Sequence, residues 1–230
     1  MVANGKLDDP QKKESGLRLK GVSNFLIGIL LALTMKVALE TTFRDLGQYN
    51  DWTEAVTIGV WSDFRRKFLI LFQFLAFIFT LLRFYWGAYR CNNEMPESQT
   101  KVGLAINVLG AFLLFGGFYI TAMSIQTTNL FYSLIVTFHV LDWCWFLIAN
   151  AHVKKIDASL LKVTSCWQFF DLITILLFLG ASWGFDLLFP PAYYIPQYFS
   201  LAVLFGVGIW DFTKFWRFYM DEPDWRTKVE

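Results

Sequence analysis

The chain has 230 residues, 56% hydrophobic, 19% aromatic and only 17% charged, with a net charge of +1 and 25 phenylalanines. With a mean hydropathy of +0.43, this is too apolar and too charge-poor for an ordinary soluble domain, and it excludes disorder and nucleic-acid binding. Cys91, Cys144 and Cys166 have neither CxxC nor ligand spacing, which excludes a disulfide scaffold and leaves the thiols as small apolar filler.

In chain order, the opening segment MVANGKLDDPQKKESGLRLK is polar and lacks the apolar core and small-residue cleavage site of a signal peptide. Residues 1–21 are therefore expected to be a retained cytoplasmic segment. A helix crossing the bilayer needs about 20 mostly apolar residues, and six stretches qualify: 22–43, 67–89, 102–124, 129–150, 166–185 and 197–219. The expected fold is an all-α integral membrane protein: one bundle of about six transmembrane helices over 22–219, followed by a cytoplasmic tail at 220–230. Residues 44–66, containing WTEAVTIGVW, read as an interfacial segment between the first two helices. CNNEMPESQT at 91–100, Asn129 and PPAYYIP at 190–196 supply turn chemistry.

Orientation follows from the excess of Lys and Arg that cytoplasmic flanks carry. With the N-terminus inside, the inner segments hold Lys6, Lys12, Lys13, Arg18, Lys20, Arg90, Lys101, Lys154, Lys155, Lys162, Arg217, Arg226 and Lys228, 13 in all. The outer segments hold Arg44, Arg65, Arg66 and Lys67, 4 in all. A five-span reading, with the first apolar run lying on the surface, divides the same charges 9 to 8 and loses the bias. In the six-span arrangement Trp86, Trp167, Trp216 and Trp225 fall near the inner boundary, and Trp52, Trp61 and Trp183 near the outer one, as aromatic belts do.

Ionisable groups inside the hydrocarbon cost at least about 2.5 to 3.5 kcal/mol each, so they face a partner, water or a substrate path. Arg83 in the second span, His139 and Asp142 in the fourth, Asp171 in the fifth, and Asp211 and Lys214 in the sixth are such groups. The six-span topology puts them at similar depth in the cytoplasmic half, Asp142 slightly deeper. These six are the candidate ion or proton pathway. Arg83 is expected to pair with Asp211 or Asp171, and Asp142 to be the transient binding group. Simpler readings are an Arg83 that snorkels to the headgroups, a self-satisfied Asp211–Lys214 pair and a hydrogen-bonded core His139. Lys36, Glu40 and Arg44, four residues apart, read as an ion ladder at the outer end of the first span.

The third span carries Gly103, Asn107, Gly110, Leu114, Gly117, Thr121 and Ser124 in alternating steps of four and three. This seam of small and polar residues suits either close helix packing, within the chain or in a homo-oligomer, or a pore wall. No HExxH, GxSxG, Walker A, GxGxxG or paired CxxC occurs, so no cofactor and no metal is expected. The leading expectation is a cell-membrane protein that conducts or couples ions or protons. The alternatives are an effector whose basic inner face, with Lys154 and Lys155, docks a soluble regulator or anionic lipid, and an intramembrane lipid enzyme with Asp142 and His139 as acid and base.

Overall fold

The computed structural model describes residues 10–46, 61–94, 101–153, 158–188, 195–220, 222 and 224–228. Six long helices fill almost all of it: α1 Pro10–Leu46, α2 Trp61–Glu94, α3 Lys101–Met123, α4 Thr128–Val153, α5 Ala158–Leu188 and α6 Ile195–Lys214. Two short helices follow, α7 Trp216–Tyr219 and α8 Trp225–Lys228. The helices run beyond the apolar stretches that announce them. α1 starts at Pro10, where a missing N–H costs nothing, so residues 10–21 of the expected N-terminal segment are helical. Most of the interfacial segment expected at 44–66 lies outside the described residues, as do Lys154 and Lys155.

Five helical stretches are long and apolar enough to cross a membrane: Gly21–Arg44, Arg66–Cys91, Thr128–Ile148, Ala158–Ala181 and Ile195–Lys214. In α3 the apolar stretch among described residues is Phe112–Met123. Large apolar side chains point outward all round, among them Leu113, Leu141, Ile148 and Leu176, each at least 59% exposed. Such a surface suits an apolar surrounding, in which helices satisfy their own backbone groups.

The helices contact one another in the ring order α1–α3–α4–α5–α6–α2, with α2 closing on α1. α2 is drawn furthest inward: 50% of its span is buried, against 22% for α1. Its aromatic side chains cross the ring, Phe77 meeting Phe118 of α3 edge-on at 5.8 Å and Phe84 meeting Phe138 of α4 at 4.8 Å. α6 approaches α2 closely because Gly208 lies against the Phe79 ring.

α3 and α4 are joined by a tight turn. The Ser124 hydroxyl donates to the Thr121 carbonyl at 2.8 Å, and the Thr127 N–H donates to the Ser124 carbonyl at 2.8 Å. Asn129 lies within the first turn of α4 rather than in the connection. At the other end the helical path continues with little interruption past Lys214, the Phe215 N–H donating to the Asp211 carbonyl at 2.9 Å and the Tyr219 N–H to the Phe215 carbonyl at 3.0 Å. Trp225 is buried with its ring 5.0 Å from Phe218, and Arg226 pairs with Glu94 of α2 at 2.7 Å.

Candidate functional site

α2, α4, α5 and α6 bring Arg83, His139, Asp142, Asp171 and Asp211 together in the bundle interior, all at most 8% exposed. They divide into two groups of different chemistry. In the first, Asp211 is saturated with donors. Its Oδ2 accepts from Arg83 Nε at 2.6 Å and from the Tyr219 hydroxyl at 2.7 Å, and its Oδ1 accepts from Trp167 Nε1 at 2.9 Å. The expected pairing of Arg83 with a carboxylate of another helix is thus present, and snorkelling to the headgroups is not its conformation. α7 follows α6 almost without a break, and from it the Tyr219 side chain reaches back to Asp211; Trp167 and Tyr219 stack with centroids 6.1 Å apart.

Three sequence expectations are corrected here. Lys214 does not join the cluster: it is exposed, its Nζ lies 5.7 Å from the centroid of the neighbouring Phe215 ring, and Asp211 turns to Arg83 instead. Trp167 and Trp225 are buried at 6% and 3%, so they are packing and hydrogen-bonding groups rather than members of an interfacial belt; Trp86 and Trp216 remain at least 40% exposed. Trp52 and the side chains of Trp61 and Trp183 lie outside the described residues.

The second group is unsaturated. His139 Nδ1 lies 2.8 Å from Asp171 Oδ1, and the Asp142 carboxyl lies against that of Asp171. His139 Nε2 and Asp171 Oδ2 have no hydrogen-bond partner among the described residues. Two carboxylates in contact repel unless a proton sits between them, and a shared proton supplies the missing hydrogen bond. His139, with its ring edge-on to Phe84 at 5.7 Å, is fixed to Asp171 and not to Asp142 one turn along its own helix.

Beside the cluster lies a cavity of about 430 Å³. Its wall is mostly apolar, with Leu113 and Leu114 from α3 and Phe138, Leu141, Phe146 and Ile148 from α4. Its polar lining is supplied by Ser23, Arg83, Asp142, Thr164 and Tyr219, with Arg83, Asp142 and Tyr219 belonging to the buried cluster. Arg83 donates to Asp211 through Nε, while its two terminal nitrogens form no hydrogen bond among the described residues. Among those residues no His, Cys, Asp and Glu side chains are grouped as ligands of a metal.

The seam on α3 is occupied within the chain. A Cβ on Gly110 would stand 2.8 Å from the Trp145 indole, and one on Gly117 3.4 Å from the Phe138 ring, so α4 packs on the two glycines. Thr121 turns inward, its hydroxyl donating to the Gly117 carbonyl at 2.8 Å. Gly110 and Gly117 thus serve close packing within the chain. The side chain of Asn107 and the surroundings of Gly103 lie outside the described residues.

A stripe on α2 escaped the sequence reading. Gln73, Ala76, Thr80, Arg83, Gly87 and Arg90, in steps of three and four, are all buried. The side-chain nitrogen and oxygen of Gln73 both lack partners among the described residues. The signal was available in that spacing, but the surrounding phenylalanines and leucines conceal it.

Comparison with protein-family models, with curated proteins and with solved structures finds no match. The helices themselves define the class: an apolar, all-helical protein with several helices able to cross a membrane.

Proposed function

We propose that this is a six-span protein of the cell membrane, with both termini cytoplasmic, that binds and transfers protons through the Asp142–Asp171–His139 group. In this reading α3 is the sixth span, its 23 residues being enough to cross the hydrocarbon. The observation that carries the reading is the charge balance of the buried cluster. With Lys214 outside it, three carboxyls, Asp142, Asp171 and Asp211, share one arginine, Arg83. A protonated His139 would still leave the cluster one positive charge short. Leaving that deficit uncompensated in an apolar interior is costly, and protons or a small cation meet it.

The Asp211 carboxylate is held by Arg83, Trp167 and Tyr219 and acts as the fixed wall of the site. Asp142 contacts both the cavity and Asp171, so it is the group able to exchange a proton with the cavity and pass it inward. The interior face of α2 supports a route beyond it: Gln73 to Arg90 covers about 25 Å at 1.5 Å per residue, most of a bilayer core.

The test is proton flux into liposomes containing the purified protein under an imposed potential. Wild type is expected to carry flux above empty liposomes, Asp142→Asn to abolish it while the protein still assembles, and Asp142→Glu to restore part of it. No flux from wild type over empty liposomes in any condition sinks the proposal.

A further inference from the structure

Three features invite a second role: the orphaned Gln73 amide on α2, the Arg90–Glu94–Arg226 network at the end of the bundle, and the cavity beside Asp142. The Gln73 amide is not part of the wall of that cavity. Arg90 and Arg226 are already engaged with Glu94 at 3.0 and 2.7 Å. The cavity goes further, because its shape, polarity and position each select a ligand.

Its volume of about 430 Å³ lies in the roughly 300–1,000 Å³ range of small-molecule sites, which typically combine apolar walls with a few polar groups at one place. Leu113, Leu141 and Ile148 belong to its wall and are also 64%, 60% and 63% exposed on the outside of the bundle. Wall side chains this exposed leave the cavity open to the surrounding apolar phase past Leu113, Leu141 and Ile148, between the α3–α4 contacts at Gly110 and Gly117. A ligand using that opening is dissolved in the bilayer and carries an alkyl chain.

The polar lining selects the head group. Arg83 is neutralised by Asp211 at 2.6 Å, while the Asp142 carboxyl receives no hydrogen bond from a nitrogen donor among the described residues and lies against a second carboxyl. An anionic head would add a further negative charge to three acids already sharing one arginine. An ammonium head removes the deficit, and its N–H groups donate to Asp142.

We propose that the cavity binds a single-chain lipophilic amine entering from the bilayer between α3 and α4, with its ammonium on Asp142 and its chain along Leu113, Leu114 and Phe138. This names a substrate class for the proton-transfer reading and rests on that reading for movement only, since occupancy is measurable without flux. A cation and a proton would then compete for the same carboxyl, which is the coupling an exchanger needs.

The probe is radiolabelled dodecylamine, bound to wild type in nanodiscs of zwitterionic lipid and corrected for empty nanodiscs. Saturable binding is expected, displaced by unlabelled dodecylamine and about tenfold or more less effectively by dodecanoate. Ethylamine, which has the head without the chain, is expected not to compete. Asp142→Asn should weaken binding by about tenfold or more, and Ala88→Phe, which fills the cavity from α2, should remove it. Equal competition by dodecanoate, or unchanged binding in Asp142→Asn, overturns the proposal, and the first comparison requires only wild type. Binding without proton flux leaves this site standing and removes the transport reading; flux with no saturable amine binding does the reverse.

Discussion

Asp211 and Asp142 are both buried aspartates, and their surroundings give them opposite uses. Three donors from three different side chains converge on Asp211, so its charge is compensated and its geometry fixed, as a structural anchor requires. Removing one member of a buried pair leaves the other charge uncompensated, at a cost of about 3–5 kcal/mol, whereas replacing both with apolar groups is often close to neutral. Arg83→Ala is therefore expected to destabilise the protein by about 3–5 kcal/mol, and the double variant Arg83→Met with Asp211→Leu by less, measured as denaturant unfolding in lipid or detergent. An Arg83→Ala protein as stable as wild type would mean that Trp167 and Tyr219 alone suffice to hold the carboxylate. That Arg83 pairs with Asp211 or Asp171 was legible from depth along the spans; the choice of Asp211 was not. The exclusion of Lys214 was not, since an i, i+3 neighbour is an equally good partner on paper; nor was the role of Tyr219, whose hydroxyl reaches back to Asp211 from eight residues along a nearly continuous helix.

The helices themselves were largely legible, because long apolar runs without interior breakers leave little else for the backbone to do in a bilayer. What the pattern conceals is which face turns inward when nearly every face is apolar. α3 announced its inner face through glycines, and α4 fills it with Trp145 and Phe138. α2 carries its inner stripe with only one glycine, so Gln73, Thr80 and Arg83 read as isolated polar residues. The α2–α6 contact depends on another glycine: a Cβ at Gly208 would collide with the Phe79 ring, which is itself 5.8 Å from Phe205. Gly208→Ala is expected to push α6 off α2 at a cost of about 1–3 kcal/mol, read as a lowered unfolding midpoint. A stability equal to wild type would show that the Phe79 ring moves aside freely.

At the scale of the molecule, the ring of helices with α2 drawn inward explains how groups far apart in sequence meet: Arg83 and Asp211 are 128 residues apart, and His139 and Asp171 are 32. Orientation rests on the 13 to 4 division of Lys and Arg. Cysteines introduced into a Cys-free background at 125–128 and at 154–162 should therefore react with an impermeant maleimide from opposite sides of the membrane. Reaction from the same side would rule out the six-span topology.

In the proposed function the buried cluster has a locked half at Asp211 and a proton-exchanging half at Asp142 and Asp171. Infrared difference spectra of the protein in lipid, recorded as the pH is stepped, report protonated carboxyls directly through their carbonyl stretch. The account requires a buried-carboxyl band that disappears in Asp142→Asn and persists in Asp211→Asn. A wild-type protein with no such band, or a band lost with Asp211 and untouched by Asp142, would contradict it.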